Sequence, residues 1–302
     1  MKADLNIISH IVLDDKIFYT EHPPRKITEQ LGGPVAYASM VIPLLQASTQ
    51  CITSIGKDFP EEYLLYLNSI RNYGLKIENS EKTTRFLHEI HHDHRTLFLV
   101  AQAKSLDNSL FLLEGGKACL LSPVFEEISK SSVEWSRDNH DWVGVDVQGF
   151  VRKKDENGKI YSYFDQSFFR YLIQKNDFVK YSLNEAMSFT KQKAHREILD
   201  KLPKNNVQIV TIGNKGIIYS DNGQFYKLDA PTQDIKDPTG AGDVFITAFL
   251  IKYLETKEVD FSLSFGMAIA AEKVHYDEIQ ILPKKNYKSI AEKILESKKE
   301  IR

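Results

Sequence analysis

The sequence predicts an α/β fold in which a mostly parallel sheet is covered by helices on both faces. Short apolar runs typical of buried strands alternate along the chain with segments whose apolar residues follow the helical period. Parallel strands buried on both faces have such continuous apolar runs. The 302 residues, 42% of them hydrophobic, are enough for one large core. We therefore expect a single domain over residues 1–302.

Each predicted element has a local signal. The stretch GPVAYASMVIPLL at 33–45 predicts a helix that tolerates Pro34 in its first turn and is ended or kinked by Pro43. The helix over 60–74 begins with a proline and ends at Gly74. Asp-Asn-Gly within 216–228 is typical of a β-hairpin. The apolar runs predict strands at 5–9, 50–56, 118–122, 142–148, 177–182 and 207–212, and further helices at 262–274 and near the C-terminus.

Two segments, about 15–31 and 83–103, interrupt this alternation. They contain β-branched and aromatic residues with partial two-residue alternation, which favours strands. No helical pattern separates 83–90 from 95–102. Together the segments predict a small antiparallel flap inserted into the domain.

The second flap segment contains a histidine cluster, HEIHHDH, with His88, His91, His92 and His94. A metal site would need three or four of these imidazoles to converge. On a strand, His92 and His94 share a face while His91 points the other way. We interpret the cluster as a polar turn of the flap that touches substrate or a partner flap.

Composition excludes several classes of protein. The formal net charge is -2, so no basic face for nucleic acid is indicated. No apolar run approaches the roughly 20 residues of a membrane span, and the N-terminus is too polar for a signal peptide. Cys51 and Cys119 lie far apart in apolar stretches, which favours two reduced core thiols. We expect a soluble, cytoplasmic protein.

Residues 237–245, DPTGAGDVF, combine a glycine-rich turn with an acid at a predicted helix start. Gly240 and Gly242 let the backbone turn sharply and approach a ligand without Cβ clashes. Free amides and the helix dipole attract anions at such a start. The amides of residues 240–243, including Ala241, would stabilise a transferring phosphoryl group, and Asp243 would accept a proton from the attacking hydroxyl. A plain glycine-rich helix start is the alternative for this motif taken alone.

Other motifs precede this one in order. Gly32-Gly33 opens a predicted helix after the first flap segment, SIGKDF occupies 54–59, and TIGNKG occupies 211–216. With the flap and DPTGAGDVF, they resemble the motifs of ribokinase-like (PfkB-type) carbohydrate kinases over most of the chain. The DVQGFVR stretch at 146–152, the compact length and the proline of DPTGAGD look nearest to the branch that contains myo-inositol kinases.

The resemblance implies a ribokinase-like three-layer α/β/α domain whose flap is a lid. It also implies transfer of the γ-phosphate of Mg-ATP to a hydroxyl of a small polyol or sugar, with a lean towards myo-inositol. By position, Asp243 resembles the catalytic base, and Gly240, Ala241 and Gly242 resemble the anion hole. The other implied site residues are Asp14, Gly32 and Gly33 for the substrate, Thr211, Gly213, Gly216, Ala268 and Ala271 for the nucleotide, and Asn184 and Glu185 for a water-mediated contact to Mg²⁺.

The chain departs from the family pattern at two places. The family has N-x-x-E near Mg²⁺, but Met187 stands three positions after Asn184, and Glu185 either substitutes or caps the helix. The family also has D-x-N-x-R, where this chain has Gln148 and a displaced Arg152 that reaches a phosphate or lies on the surface. The sequence leaves a monovalent-cation requirement open.

Rival functions are a nucleoside kinase of the same fold, a non-catalytic sugar or nucleotide sensor, and a kinase with another phosphoryl donor. The partners predicted are a small substrate and ATP, with neither nucleic acid nor membrane. Exposed edge strands of the flap favour a homodimer through the lid.

Overall fold

The computed structural model describes residues 2–91 and 94–302 and contains a ten-stranded central sheet, a four-stranded sheet and a two-stranded ribbon. The strands are β1 Leu5–Ile8, β2 Val12–Phe18, β3 Arg25–Gly32, β4 Thr49–Ile55, β5 Tyr73–Asn79, β6 Thr84–His91, β7 His94–Ala101, β8 Gly116–Leu121, β9 His140–Asp146, β10 Arg152–Lys154, β11 Ile160–Ser162, β12 Phe178–Ser182, β13 Val207–Thr211, β14 Ile217–Asp221, β15 Gln224–Leu228 and β16 Lys299–Glu300. The α-helices are α1 Pro34–Ala38, α2 Ile42–Leu45, α3 Glu61–Ser69, α4 Lys130–Asn139, α5 Gln166–Lys175, α6 Leu183–Thr190, α7 His195–Lys201, α8 Ala241–Thr256, α9 Val259–Lys273 and α10 Tyr287–Glu296.

The central sheet has the order β16-β15-β14-β13-β12-β9-β8-β1-β4-β5. Every pair from β13 to β5 is parallel, and β14, β15 and β16 add an antiparallel edge. Alternate residues of β1 enter different apolar clusters, Ile7 on one face of the sheet and Ile8 on the other. The sheet is therefore covered on both sides, which confirms the predicted three-layer α/β/α fold.

Two helix boundaries differ from the prediction. The helix over 33–45 is broken into α1 and α2, with Pro43 in the first turn of α2. The helix predicted to end at Gly74 stops at Ser69, because Asn72 turns the chain with a φ of 61° and Tyr73 already begins β5. The hairpin prediction is confirmed, with Asn222 and its following glycine both at positive φ between β14 and β15.

The four-stranded sheet has the order β3-β2-β6-β7, and we call it the lid. The β2–β3 and β6–β7 pairs are antiparallel, but β2 and β6 pair in parallel, so the predicted all-antiparallel arrangement is wrong. The physical reason is that two separate hairpins are joined side by side through strands that run in the same direction. Its inner face packs Val12, Phe86 and Leu99 on Val124 and Phe125.

The structure describes the predicted histidine cluster only in part. His92 and the side chain of His94 lie outside the described residues. Within the described ranges, no helix has the length and apolar character needed to cross a membrane.

Candidate active site

The carboxyl ends of the parallel strands bring polar residues, some predicted and some not, to one edge of the sheet. Asp146 ends β9, Ser182 ends β12 and Thr211 ends β13, while Asp14 lies in β2, shortly after β1. The lid rises from the same edge because β2 follows β1 after only three residues. In open α/β sheets this edge is where ligands bind.

The helix α8 begins at this edge with a backbone that needs glycine. Gly240, its N-cap, has a φ of 77°, which is left-handed, and no side chain caps the helix. A Cβ on Gly240 would stand 2.2 Å from a ring carbon of Tyr37. Left-handed backbone and the Tyr37 ring together exclude any larger residue at this position.

The amide groups of this helix start are only partly free. The Ala241 N–H donates to the Pro238 carbonyl at 3.2 Å, so it is the one predicted anion-hole amide that is already bonded. Among the described residues, the amides of Gly240, Gly242 and Asp243 donate no hydrogen bond. Three amides at a positive helix end therefore remain to bind an anion.

Asp243 occupies the third position of α8, and its side chain is 9% exposed. Burial raises the pKa of this carboxyl to about 7, with a further contribution from the nearby Asp146, while Lys180, Arg152 and Lys273 act in the opposite direction. A carboxylate with a pKa near neutrality is suited to accept a proton at physiological pH.

A buried ion pair lies beneath the helix start. Lys180 of β12 donates to Asp146 Oδ2 of β9 at 2.6 Å, and the two residues are direct neighbours in the sheet. A Cβ on Gly242 would stand 2.8 Å from Lys180 Nζ, so the ammonium lies against the first turn of α8. Burial lowers the pKa of a lysine, but Asp146 and Asp243 outweigh it and raise the pKa of Lys180.

On the lid side, Asp14 is held by a histidine. His88 Nε2 donates to Asp14 Oδ1 at 2.8 Å, and both residues are buried. A Cβ on Gly32 would stand 2.5 Å from Asp14 Oδ2, so a glycine is required there for the carboxylate to reach its position. Gly33, at the start of α1, packs equally closely on the His10 carbonyl.

The turn before α8 is held by two lysines. Lys16 of the lid donates to Asp237 Oδ2 at 3.1 Å, and Lys273 of α9 donates to the Asp237 carbonyl at 3.1 Å. The second carboxylate oxygen of Asp237 accepts from the Thr239 amide at 2.8 Å. These contacts fix the DPTGAGD turn between the lid and α9.

A cleft of about 270 Å³ borders the start of α8. Predicted nucleotide-side residues Thr211, Gly213, Gly216 and Ala271 line it, together with Ala241 and Gly242. Its lining contains no charged residue; the remaining lining residues are Asn214, Ile217, Ala230, Pro231, Gln233, Ile235, Pro238, Phe245, Met267, Ala270 and Val274.

Ala268, predicted on the nucleotide side, is not among the described residues that line the cleft. It is buried, whereas Met267, Ala270 and Ala271 of α9 and the C-cap residue Val274 line the cleft at helical spacing. Ala268 belongs to the side of α9 that enters the core. Of the small residues of this helix, Ala268 therefore packs in the core, while Ala270 and Ala271 line the cleft.

The predicted Mg²⁺ contacts have limited capacity. Ser182 N–H donates to Glu185 Oε2 at 2.7 Å in a capping box at the start of α6, and Asn184 is exposed. Within the described ranges, no three His, Cys, Asp or Glu side chains converge as a metal site. Mg²⁺ characteristically uses one or two protein carboxylates and completes its shell with phosphates and water, and one free Glu185 oxygen fits that use.

Sequence reasoning missed Lys180, Asp146, Lys16 and Lys273 as site residues. A signal was present for the first two: each is a charged residue inside an apolar run that predicts a buried strand. A charge in such a position must be paired or functional. Arg152, left open by the sequence, donates to the Val124 carbonyl at 3.0 Å. Burial lowers the pKa of its guanidinium, although Glu185, Asp146 and Asp243 act in the opposite direction.

Comparison with known proteins gives a family and a fold. The profile described as "pfkB family carbohydrate kinase" matches residues 2–285. A curated relative, the cytidine kinase of Thermococcus kodakarensis, is 24% identical over 282 residues, which cover 89% of this chain and 95% of that protein.

Two solved structures have similar folds. One is a pyrophosphate-dependent kinase in the ribokinase family, complexed with a pyrophosphate analogue and myo-inositol; its TM-score is 0.78 at 21% identity, covering 96% of this chain and 100% of that one. The other is Arabidopsis thaliana ribokinase complexed with ribose and ATP; its TM-score is 0.71 at 18% identity, covering 98% and 99%.

Proposed function

The chain belongs to the pfkB family of carbohydrate kinases, and from this premise we propose that it transfers the γ-phosphate of ATP to a hydroxyl of a small polyol or sugar. As a member of this family it is a phosphotransferase, a sugar or nucleoside kinase of ribokinase-like fold. One observation carries the finer proposal: an uncapped helix start with three available amides stands beside a buried carboxyl whose pKa is raised to about 7.

The reaction follows from this geometry. The acceptor hydroxyl oxygen forms a bond to the γ-phosphorus, its proton passes to the Asp243 carboxylate, and the bond from the γ-phosphorus to the β–γ bridging oxygen breaks, so that ADP leaves. The amides of Gly240, Gly242 and Asp243 stabilise the negative charge on the transferring group. Lys180, held against Gly242 by Asp146, adds a fixed positive charge.

The cleft supports ATP as the donor. An adenosine needs an apolar slot that continues from the anion-binding amides, and the cleft offers Phe245, Met267 and Val274 without a charged side chain. Pyrophosphate, named with one of the similar structures, is the alternative donor. Pyrophosphate has no apolar group that could fill this slot.

Mg²⁺ would arrive with the donor phosphates, to neutralise their charge and orient them. On this proposal Glu185, with one carboxylate oxygen outside its capping contact, and the exposed Asn184 would hold the ion's water shell. No monovalent cation is assigned, because Lys16 and Lys273 already bond to Asp237 in the turn before α8.

The acceptor is a neutral polyol on this proposal, with myo-inositol first, since a solved structure of similar fold is complexed with it. Asp14 would hold hydroxyls, and Gly32 and Gly33 would let the backbone approach them. A nucleoside acceptor is the second candidate, favoured by the cytidine kinase relative. Whether two copies associate through the lid remains a prediction.

The test is an ADP-release assay with Mg-ATP and a panel of myo-inositol, D-ribose, cytidine and fructose 6-phosphate. We expect turnover of one neutral acceptor and its loss in Asp243→Asn, with both ligands still bound. Glu61→Gln is the matched control, because Glu61 is also a first-turn acid but is exposed on α3. If no acceptor stimulates ADP release while both ligands bind, the protein is a sensor and the proposal is wrong.

A second assay, which detects the phosphorylated acceptor directly, separates the donors. Pyrophosphate in place of ATP should give no phosphorylated acceptor, and it should compete only weakly with ATP. Turnover with pyrophosphate but not ATP would contradict the proposal that the cleft binds ATP. It would leave in place the proposal that Asp243 accepts the proton of the acceptor hydroxyl.

A further inference from the structure

His88 stands on the inner face of the lid, over the acceptor side of the site. It is a direct neighbour of Lys16 in the parallel β2–β6 pair, so the two side chains share a face of the lid. Lys16 reaches down to Asp237 in the turn before α8, which identifies that face as the one directed at the catalytic edge. His88 is 3% exposed there.

Asp14 fixes which ring nitrogen of His88 carries a proton. A carboxylate accepts hydrogen bonds and does not donate them, so the 2.8 Å contact places the proton on Nε2. Burial lowers the pKa of His88; Asp14 opposes this, and the charges of Arg95 on β7 and Lys16 on β2 lower it further. The ring is therefore neutral near pH 7, and Nδ1 presents a lone pair.

That lone pair has no partner. Nδ1 is buried, and no hydrogen-bond donor reaches it among the residues that the structure describes. Most buried side-chain nitrogens in folded proteins have a partner, and an exception calls for an explanation such as a bound water, an ion or a ligand. Of the two ring nitrogens of His88, Nε2 has a partner in Asp14, whereas Nδ1 has none among the described residues.

Asp14 Oδ2 is a second acceptor close to His88, whose Nε2 bonds to the other oxygen of the same carboxylate. This Oδ2 lies against Gly32, where a Cβ would be 2.5 Å away. Asp14 Oδ2 and His88 Nδ1 thus offer two acceptors and no donor. Hydroxyl donors of a ligand match two such acceptors, whereas a carboxylate or phosphate would be repelled by them.

We propose that His88 Nδ1 accepts a hydrogen bond from an acceptor hydroxyl other than the one phosphorylated, so that His88, held by Asp14, favours polyols that carry a hydroxyl at that position. This inference rests on the proposed function, because it names how the same site chooses its acceptor. It makes His88 a specificity-determining residue with two separable contacts, one to Asp14 and one to the substrate.

Two substitutions separate those contacts. His88→Gln keeps an amide nitrogen near the Nε2 position, where it still donates to Asp14, but leaves nothing at Nδ1. His88→Asn keeps an oxygen near Nδ1 and loses the bond to Asp14. His91→Gln is the matched control: His91 lies on the same strand, is exposed, and stacks on Tyr19 with ring centroids 4.4 Å apart.

The probes are the panel member that binds best to the native protein and its monodeoxy analogues. Binding is measured by calorimetry without donor, and KM and kcat are measured with Mg-ATP. We expect His88→Gln to weaken binding of the parent polyol and raise its KM about five- to tenfold, with kcat changed less than about twofold. For one monodeoxy analogue, native protein and His88→Gln should have equal affinity.

The outcomes separate this inference from the proposed function. If His88→Gln binds the parent polyol and every analogue like the native protein, then His88 only positions Asp14 and the inference is wrong. If no panel member is phosphorylated but one analogue still abolishes the His88→Gln effect on binding, the proposed function fails and the inference stands. Binding of no panel member would overturn both. Unchanged thermal unfolding of His88→Gln shows that the loss is local.

Discussion

Two helix starts at the catalytic edge have an acid at the same third position, yet their surroundings differ. At α6, Ser182 caps the helix by accepting from the Glu185 amide, and the Glu185 carboxylate accepts from the Ser182 amide. At α8, Gly240 offers no side chain, and the Asp243 carboxylate caps nothing. The side chains of α6 therefore bond to the free amides at its start, whereas the amides at the start of α8 are left for a ligand.

The difference shows what turns a helix start into a chemical site. A capping box uses the acid to stabilise the helix. Removing the cap and burying the acid leaves amides that attract an anion and a carboxyl whose pKa is raised to about 7. The cap residue, serine or glycine, decides which role the acid takes.

The largest expected difference between the two acids is in turnover. Asp243→Asn should lower kcat about a thousandfold or more, because the acceptor hydroxyl loses the group that takes its proton. Glu185→Gln should lower kcat about tenfold at most, since glutamine still caps α6. Steady-state kinetics on both variants measure the ratio. Equal losses would mean that the two acids share one role, contrary to the comparison.

A methyl group at Gly240 tests the uncapped start itself. Gly240→Ala should lower kcat about a hundredfold, because the Cβ meets the Tyr37 ring at 2.2 Å and displaces the amides. Gly223→Ala is the matched control: its φ is 76°, against 77° for Gly240, but it lies in the hairpin turn with only Lys204 near, at 3.9 Å. Backbone strain should cost both variants similar stability, and the clash with Tyr37 should cost Gly240→Ala more. Comparable loss of activity in Gly223→Ala would show that strain alone explains the effect.

The sequence predicts most of the fold, for a local reason. Buried parallel strands are continuous apolar runs, so β4, β9, β12 and β13 are predicted within two residues of their observed ends. The end of α3 is missed because it depends on Asn72 adopting a left-handed turn, which any of several residues nearby can do. The parallel β2–β6 pair is missed because strand direction across a sheet leaves no trace in either strand.

The site, like the fold, has a part that the sequence predicts and a part that it does not. The DPTGAGD turn and Gly32-Gly33 are contiguous, so their glycines and acid are readable from spacing. Lys180 and Asp146 are 34 positions apart, and Lys16 and Asp237 are 221 apart, so no spacing predicts their contacts. The bond from the Ala241 amide to Pro238 is equally invisible, because it depends on the turn geometry that precedes α8.

Neutralising the two acids, Asp243 and Glu185, should change the free energy of unfolding in opposite directions. The folded-state pKa of Asp243 is raised to about 7 from an ordinary value near 4, so the stability linked to its proton is full below about pH 4 and lost as pH rises through 7. At pH 8, Asp243→Asn should raise the free energy of unfolding by on the order of 2 kcal/mol, and the gain should vanish near pH 4. Glu185→Gln should lower it by about 0.5–1 kcal/mol. Urea unfolding at pH 8, 6 and 4.5 measures both; a destabilised Asp243→Asn at pH 8 would contradict the assigned burial.

The smallest predicted effect concerns the Lys180–Asp146 ion pair beneath the start of α8. Native kcat/KM should be constant above about pH 7 and fall tenfold per unit below it, because Asp243 acts only when deprotonated. Asp146→Asn removes the negative charge that raises the Asp243 pKa and keeps an oxygen for Lys180, so the acid limb should move down by about one unit. The pH profile of kcat/KM on the native protein and this variant measures the shift. A limb that moves upward would mean that Asp146 acts on Asp243 mainly by holding Lys180 in place, not through its own charge.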